Sequence, residues 1–289
     1  MLLLESVPNF SEGRDGATLA ALGDALAAHA RLLDVHADAD HNRSVFTLLG
    51  SSAELQEALL AAVGVARARI DLRCHDGVHP RIGAIDVIPI VPLAETGLEQ
   101  ARGVARELAA RIGALGLPVF VYDPPERGPA FYRRGGLPEL ARRLESGELV
   151  PDFGPGRLDP SAGAVIVGAR LPLIAFNVNL RGTLAAAKAI AAEVREHGGG
   201  FPGVRALGHE LPRAGLVQIS MNIENWQAAP LGELLDTIEA LAAAQGAEFV
   251  GSELVGLMPA GAALAAAAAR LRLPALAHSQ VLELRLLDG

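Results

Sequence analysis

The segment "RLLDVHADADHNRSVFTLLG", Arg31 to Gly50, decides the fold. Arg31–His36 and Arg43–Gly50 are apolar runs with β-branched and aromatic residues, and "ADADHN" between them is a polar turn, so the segment reads as a hairpin. Working outward, Leu2–Val7 is a short apolar run closed by Pro8 and Asn9, and Ala17–Ala30 has helical spacing. Downstream, Ser51 and Ser52 are suited to cap a helix over Ala53–Ile70, with Glu54 and Glu57 in its first turns. Ala84–Val91 follows as a strand. The order β-α-β-β-α-β is the split βαβ unit of ferredoxin-like folds. A helix at Leu98–Leu115 and a strand at Val119–Tyr122 extend it, and "DPPERGPAFYRRGGLPEL" reads as loop and short helix.

Gly, Pro and Asp cluster again in "PDFGPGRLDPSAG", Pro151–Gly163, which places a division between 1–163 and 164–289. The second part repeats the order. Strands are expected at Ala164–Ala169, Leu173–Leu180, Val204–Leu207 and Leu216–Ile223, the last two flanking the turn "PRAG". Helices are expected at Thr183–His197, Leu231–Gln245 and Ala260–Leu271, with strands at Glu248–Leu257 and near Val281–Leu287. No residue-level repeat accompanies this. The expected fold class is α/β (α+β), with two ferredoxin-like βαββαβ subdomains.

At 289 residues the chain can bury a substantial core. No run of eighteen apolar residues lacks charges, which argues against a membrane span. The opening "MLLLESVPNF" has no basic front and is interrupted by Glu5, so it reads as a strand rather than a signal peptide. A single cysteine, Cys74, excludes an internal disulfide and suits a reducing cytoplasm. Net charge of −8 with no basic block argues against a nucleic-acid surface. Lys188 is the only lysine among 25 basic residues, as GC-rich codon usage produces.

Histidine is the natural proton carrier near neutral pH. His29 and His197 end helices, and His209 and His278 sit in polar turns; all four read as surface residues. His36 and His41 flank the hairpin turn, and His75 and His79 flank a loop in "CHDGVHPRIGAIDVIPIVP", Cys74–Pro92. His75 and His79 have the spacing of a helical metal pair, but Gly77 and Pro80 oppose a helix there. "DADADHN" lacks the glycine and distal glutamate of a calcium loop. General acid–base work fits better. Pro80 fixes the backbone after His79, Gly77 and Gly83 permit tight turns, Arg81 offers a fork for a carboxylate, and Asp86 can orient an imidazole or an arginine. The bland alternative is a buried histidine on a carbonyl and a surface ion pair. Cys74, between Arg73 and His75, is a weaker candidate nucleophile. Asn177 and Asn179 share one face of an apolar strand, where they either meet a ligand edge or pair with neighbouring backbone. Hydrolase elbow, phosphate-loop and dinucleotide signatures are missing.

These stretches, with "VPNFSEGRD", "PDFGPGRLDPSAGAVIVGAR" and "GLVQISMNI", occur in the order seen in the formiminotransferase domain of formiminotransferase-cyclodeaminase, and the chain resembles that family over nearly its whole length. The chain stops where a cyclodeaminase half would begin, so the resemblance is to a stand-alone form. It implies two α/β subdomains with folate in a cleft between them. It implies transfer of the formimino group of N-formimino-L-glutamate to the position-five nitrogen of tetrahydrofolate, a step of histidine breakdown and one-carbon metabolism. The family's catalytic histidine maps onto His79. Its folate-binding stretch maps onto Gly154, Pro155, Gly156, Arg157, Leu158, Asp159, Pro160, Ser161, Ala162 and Gly163, to which the Asn177 and Asn179 face is added. Arg43 and Arg81 are the expected carboxylate partners, with Arg170 a third candidate. Asp38 or Asp40 is expected to stabilise a protonated formimino group. His36 stands where the family carries an aspartate, and "FVYD" at Phe120–Asp123 departs from the family's "FLYG". Tetrahydrofolate is the expected co-substrate, with no metal, in a cytoplasmic homodimer. The competing expectations are formyl instead of formimino transfer, a metal-dependent hydrolase using His36, His41, His75 and His79, and a non-catalytic folate-binding module.

Overall fold

A computed structural model describes residues 3–93, 97–122 and 127–285. The strands are β1 (Leu4–Ser6), β2 (Asn9–Phe10), β3 (Arg31–Asp38), β4 (Arg43–Gly50), β5 (Ile85–Pro92), β6 (Val119–Tyr122) and β7 (Val165–Ala169), then β8 (Ile174–Arg181), β9 (Val204–Leu211), β10 (Leu216–Ile223) and β11 (Glu248–Val255). The helices are α1 (Gly16–Ala27), α2 (Ser52–Arg69), α3 (Leu98–Ala114), α4 (Pro129–Arg133) and α5 (Gly136–Glu145), then α6 (Leu184–Val194), α7 (Leu231–Ala244), α8 (Ala260–Leu271) and α9 (Leu282–Arg285).

The chain divides into two units, Met1–Leu171 and Pro172–Gly289. In the first, β1 and β2 lie between β4 and β5, both antiparallel, and β3 pairs with β4 at the edge. This is the ferredoxin-like strand order, and β7 and β6 add to it in parallel beyond β5. The hairpin Arg31–Gly50 supplies the two strands that fix this order. Strand alternation divides its side chains between two faces. On one face Leu4, Phe10, Phe46, Leu48, Ile88 and Ile90 form a single core with α1, α2 and α3. Helix α2 starts where a capping box forms, with Ser51 Oγ accepting from Glu54 N and Glu54 Oε2 accepting from Ser51 N at 2.7 Å. On the other face α4 and α5 cover the β6–β7 end, packing Tyr132, Leu140 and Leu144 on Phe120, Tyr122 and Ile166.

The second unit is a complete ferredoxin-like sheet of order β11-β8-β10-β9, antiparallel throughout. Its core joins Phe176, Val178 and Leu180 to Ile190 of α6 and Ile238 of α7. The expected two-fold use of βαββαβ is therefore present.

Four boundaries differ from expectation. The division placed at residue 163 falls after Leu171, because Val165–Ala169 hydrogen-bonds with β5 and β6 of the first sheet. Helix α6 ends at Val194, where Arg195 turns extended before a short 3-10 turn at Glu196–Gly198. Strand β9 continues to Leu211, so His209 lies in a sheet, half-buried, and not in a turn. A helix, not a strand, occupies Leu282–Arg285, and residues 286 and 287 lie outside the described residues.

Candidate active site

The site is assembled where the β3–β4 turn meets the loop before β5. Asp38 Oδ1 accepts from His41 N at 2.7 Å, which shapes the turn, and Asn42 takes a left-handed φ of 46°. Buried Asn42 then joins three loops: its Oδ1 accepts from Gly13 N at 3.0 Å and its Nδ2 donates to Asp76 O at 2.9 Å. Val78 N donates to Asp40 O at 3.3 Å, seating the histidine loop directly on the turn. Glycine is required at two contacts in this loop. A Cβ on Gly77 would stand 2.4 Å from His41 O, and one on Gly83 would stand 2.0 Å from Ala164 O.

Arg81 holds this arrangement. Its Nη2 donates to His41 O at 2.7 Å and to His79 O at 2.8 Å, Nη1 donates to Asn42 O at 2.8 Å, and Nε donates to His79 O at 3.1 Å. Nη1 also lies 3.0 Å from His75 Nε2. The five N–H groups of a guanidinium are used up by these acceptors. The sequence suggested a fork for a substrate carboxylate; the fork instead fixes the main chain on both sides of the site.

A charged cluster sits beside this clamp. Arg43, the first residue of β4, places Nη1 2.8 Å from His79 Nδ1 and 3.1 Å from Asp86 Oδ2, while its Nε donates to Asn9 Oδ1 at 3.0 Å. Asp86 is fully buried and lies at an irregularity of β5, where Asn9 pairs with Val87 and Phe10 pairs with Ile85. That bulge, of a kind common beside active sites, turns Asp86 toward the cluster, and Ile82 N donates to its Oδ1 at 2.8 Å. Arg133, the last residue of α4, brings Nη2 within 2.5 Å of Asp86 Oδ2. Two guanidiniums thus share one carboxylate.

Burial, then the charges of Arg43, Arg133 and His41, hold the His79 imidazole well below the usual histidine range, so it is neutral at pH 7. Burial and Arg133 pull Arg43 down to about 9, which still leaves it charged at neutral pH. Asp86 stays ionised because Arg133 and Arg43 outweigh its burial. Two contacts at His79 Nδ1 select opposite tautomers. When Nδ1 carries the proton it donates to Pro80 O at 2.7 Å; when it carries the lone pair it accepts from Arg43. Nε2 is the nitrogen that neither contact uses. The His41 ring centroid lies 5.9 Å from that of His79.

Glycines 154 and 163 bracket a segment docked on the same loop. Gly163 forms a bridge with Gly83, Ala84 N donates to Ala162 O at 2.9 Å, and Leu72 N donates to Ser161 O at 2.8 Å. Asp159 Oδ1 organises the turn by accepting from Ser161 N at 3.0 Å and Ala162 N at 2.9 Å, and Arg67 pairs with its Oδ2. Both end glycines have positive φ, 82° and 70°. Arg157 and Pro160 are exposed, Pro155 and Leu158 half-buried. A hollow of about 260 Å³ between this segment and α5 is lined by Leu137, Pro138, Leu158 and Pro160.

Asn177 and Asn179 belong to the second unit, on the sheet face away from its core. Asn177 Nδ2 donates to Glu253 Oε2 at 3.0 Å, and Gln218 Nε2 donates to Asn179 Oδ1 at 2.9 Å. They join an amide–carboxylate network whose other members, Gln218 and Glu253, were not singled out in the sequence.

His36 faces the same side of β3 as Asp38, opposite Val45 and Arg43 on β4. Arg170 donates from Nη1 to Leu171 O at 3.0 Å and lies beside Glu5. Cys74 is exposed. Among the described residues no three His, Cys, Asp or Glu side chains are grouped as a metal ion would require. No helix among them is long and apolar enough to cross a membrane. Arg133 and Asn42 were also missed. Arg133 is the first of two adjacent arginines in "FYRRGG", and only the fold distinguishes its half-buried side chain from that of exposed Arg134.

The formiminotransferase domain, N-terminal subdomain, matches residues 3–170, and the formiminotransferase domain matches residues 175–277. The chain belongs to the formiminotransferase family, and the family is one of transferases. It is 38% identical to a glutamate formimidoyltransferase of Streptococcus pyogenes, over 99% of each chain. It is 38% identical to the protein of the same name from Thermoplasma acidophilum, over 98% of this chain and 97% of that one. To the formimidoyltransferase-cyclodeaminase of Gallus gallus it is 39% identical, over 92% of this chain and 52% of that protein.

Proposed function

We propose that the protein is a glutamate formimidoyltransferase in which His79 carries the proton. The single observation behind this reading is a neutral imidazole held between Arg43 and Pro80 O in a chain of this family. The position-five nitrogen of tetrahydrofolate attacks the formimidoyl carbon of N-formimino-L-glutamate and a C–N bond forms. His79 Nε2 takes the proton that this nitrogen loses. The imidazolium, with Nδ1–H on Pro80 O and Arg43 pressing against it, then gives that proton to the glutamate nitrogen. The old C–N bond breaks and glutamate leaves, so atoms and charge balance. Such a shuttle contributes ~10²–10⁴-fold.

In this reading folate is the co-substrate; Gly154–Gly163 is the candidate stretch for it in the first unit, and Asn177 and Asn179 are the candidates in the second. Asp38 and Asp40 shape the turn that seats the histidine loop, while Arg81 positions His79. The protein works in the cytoplasm as a homodimer, a state that light scattering on the purified chain checks. The test of function mixes tetrahydrofolate and N-formimino-L-glutamate with the protein and follows the formimino-folate spectrum. N-formyl-L-glutamate in place of the donor distinguishes formyl transfer. Absence of the formimino product would overturn the reading.

A further inference from the structure

Both donor carboxylates must be recognised by an acidic protein, and the two arginines first suspected are already engaged. Arg81 spends its N–H groups on main-chain carbonyls and His75, and Arg43 spends Nε, Nη1 and Nη2 on Asn9, Asp86 and His79. Arg133 is different. Its Nε and Nη2 are both buried without a hydrogen-bonded acceptor among the described residues, although Nη2 lies 2.5 Å from Asp86 Oδ2 as an ion pair. A buried guanidinium N–H without an acceptor costs free energy, and more than a neutral donor would. The local charge points the same way: among the described residues Arg43 and Arg133 share Asp86 as their acidic partner, and burial and neighbouring cations hold His79 beside them below the usual histidine range. One positive charge is left over next to the proton carrier.

We propose that Arg133 is the receptor for a carboxylate of the amino-acid donor, its Nε–H filled by that carboxylate when substrate binds. This rests on the formimidoyltransferase reading. Asp86 anchors one edge of the guanidinium, leaving the other to the substrate, so the donor is held within reach of His79 through the shared Asp86–Arg43 contact. The residue thereby selects an acidic amino acid as donor.

The test uses steady-state kinetics of the purified full chain, wild type, Arg133→Gln and Arg133→Lys, with three donors: N-formimino-L-glutamate, its side-chain amide and its α-amide. Wild-type transfer from formiminoglutamate is the control; if it is absent, the functional reading has failed, not merely the receptor. With wild-type transfer present, Arg133→Gln should raise KM for formiminoglutamate roughly 10- to 100-fold while KM for tetrahydrofolate stays within twofold. For one of the two amides the variant and the wild type should have the same KM, because the carboxylate that Arg133 holds is already missing. Arg133→Lys keeps the charge beside Asp86 but loses the fork, and should recover folding and only part of the affinity. A penalty equal for all three donors, or full rescue by lysine, would reduce Arg133 to a counter-ion of Asp86 and overturn the proposal. KM does not depend on the fraction of chain that folds, so a destabilised variant still decides the matter.

Discussion

The two units place different side chains on one topology. In the first, a charged cluster of Arg43, Asp86, Arg133 and a neutral His79 collects where a loop folds back on the sheet. In the second, the sheet face away from the helices carries Asn177, Asn179, Gln218 and Glu253, joined by amide hydrogen bonds. The difference teaches that βαββαβ supplies a solid sheet with helices on one face and says nothing about what the other face does. The charged cluster collects where the regular ladder is broken. The first unit has a bulge in β5, a left-handed Asn42 and a glycine-ended loop; the second has one register shift, at Phe249–Gly251 of β11, and lines its open face with amides and Glu253.

The strongest way to break this comparison is His79→Ala. It should fold and bind folate yet lose ~10²–10⁴-fold in kcat, measured by formimino-folate formation. Retained turnover would place proton transfer elsewhere. Arg81→Gln comes next, because it removes donors from His41 O, Asn42 O and His79 O together. Loss of buried charged hydrogen bonds of about 1.5–3 kcal/mol each should lower the thermal midpoint, and kcat should fall ~10-fold or more with KM for the donor little changed. A pure KM effect would restore Arg81 as a substrate fork.

The pH profile sharpens the comparison further. Burial first, and then Arg43, Arg133 and His41, lower the His79 pKa, so the acidic limb of kcat/KM should lie below the ordinary histidine value of 6.5. Arg43→Gln removes one of the cations and should move that limb upward, which a pH series from 5 to 8 reads as a selective loss at the acidic end, on the order of a few-fold. The same shift gives a stability sign. The unfolded chain takes up a proton below 6.5 and the folded one does not, so this stabilisation is present above 6.5 and is lost as pH falls through it. The last expected effect is in the second unit. Glu253→Gln should raise KM for tetrahydrofolate by roughly 3- to 10-fold while leaving the acidic limb unmoved. A shifted limb would show that the second unit takes part in proton transfer.

Much was legible in the residues themselves. The hairpin Arg31–Gly50, the cap at Ser51 and Glu54, and the helix–strand alternation gave the order of elements, because periodicity and capping are local. His79 stood out by its Pro80, Gly77 and Gly83, and the two clashes a Cβ would make bear out the need for glycine there. The placement of β7 was not legible: Val165–Ala169 is an apolar run that pairs equally well with either sheet in sequence terms, and only parallel hydrogen bonds to β5 and β6 assign it. Arg81 was misjudged for a related reason. A guanidinium reads the same in sequence whether it faces a ligand or three carbonyls of its own main chain.

The sequence alone determined the two ferredoxin-like repeats and the loop that Gly77, Pro80 and Gly83 stiffen around His79, since these depend on neighbours within a few residues. Tertiary structure decided which arginine is spent and which is left over, which aspartate is fully buried, and that the imidazole is neutral. Those properties depend on burial and on charges brought together from β4, β5 and α4, distances that no local pattern encodes.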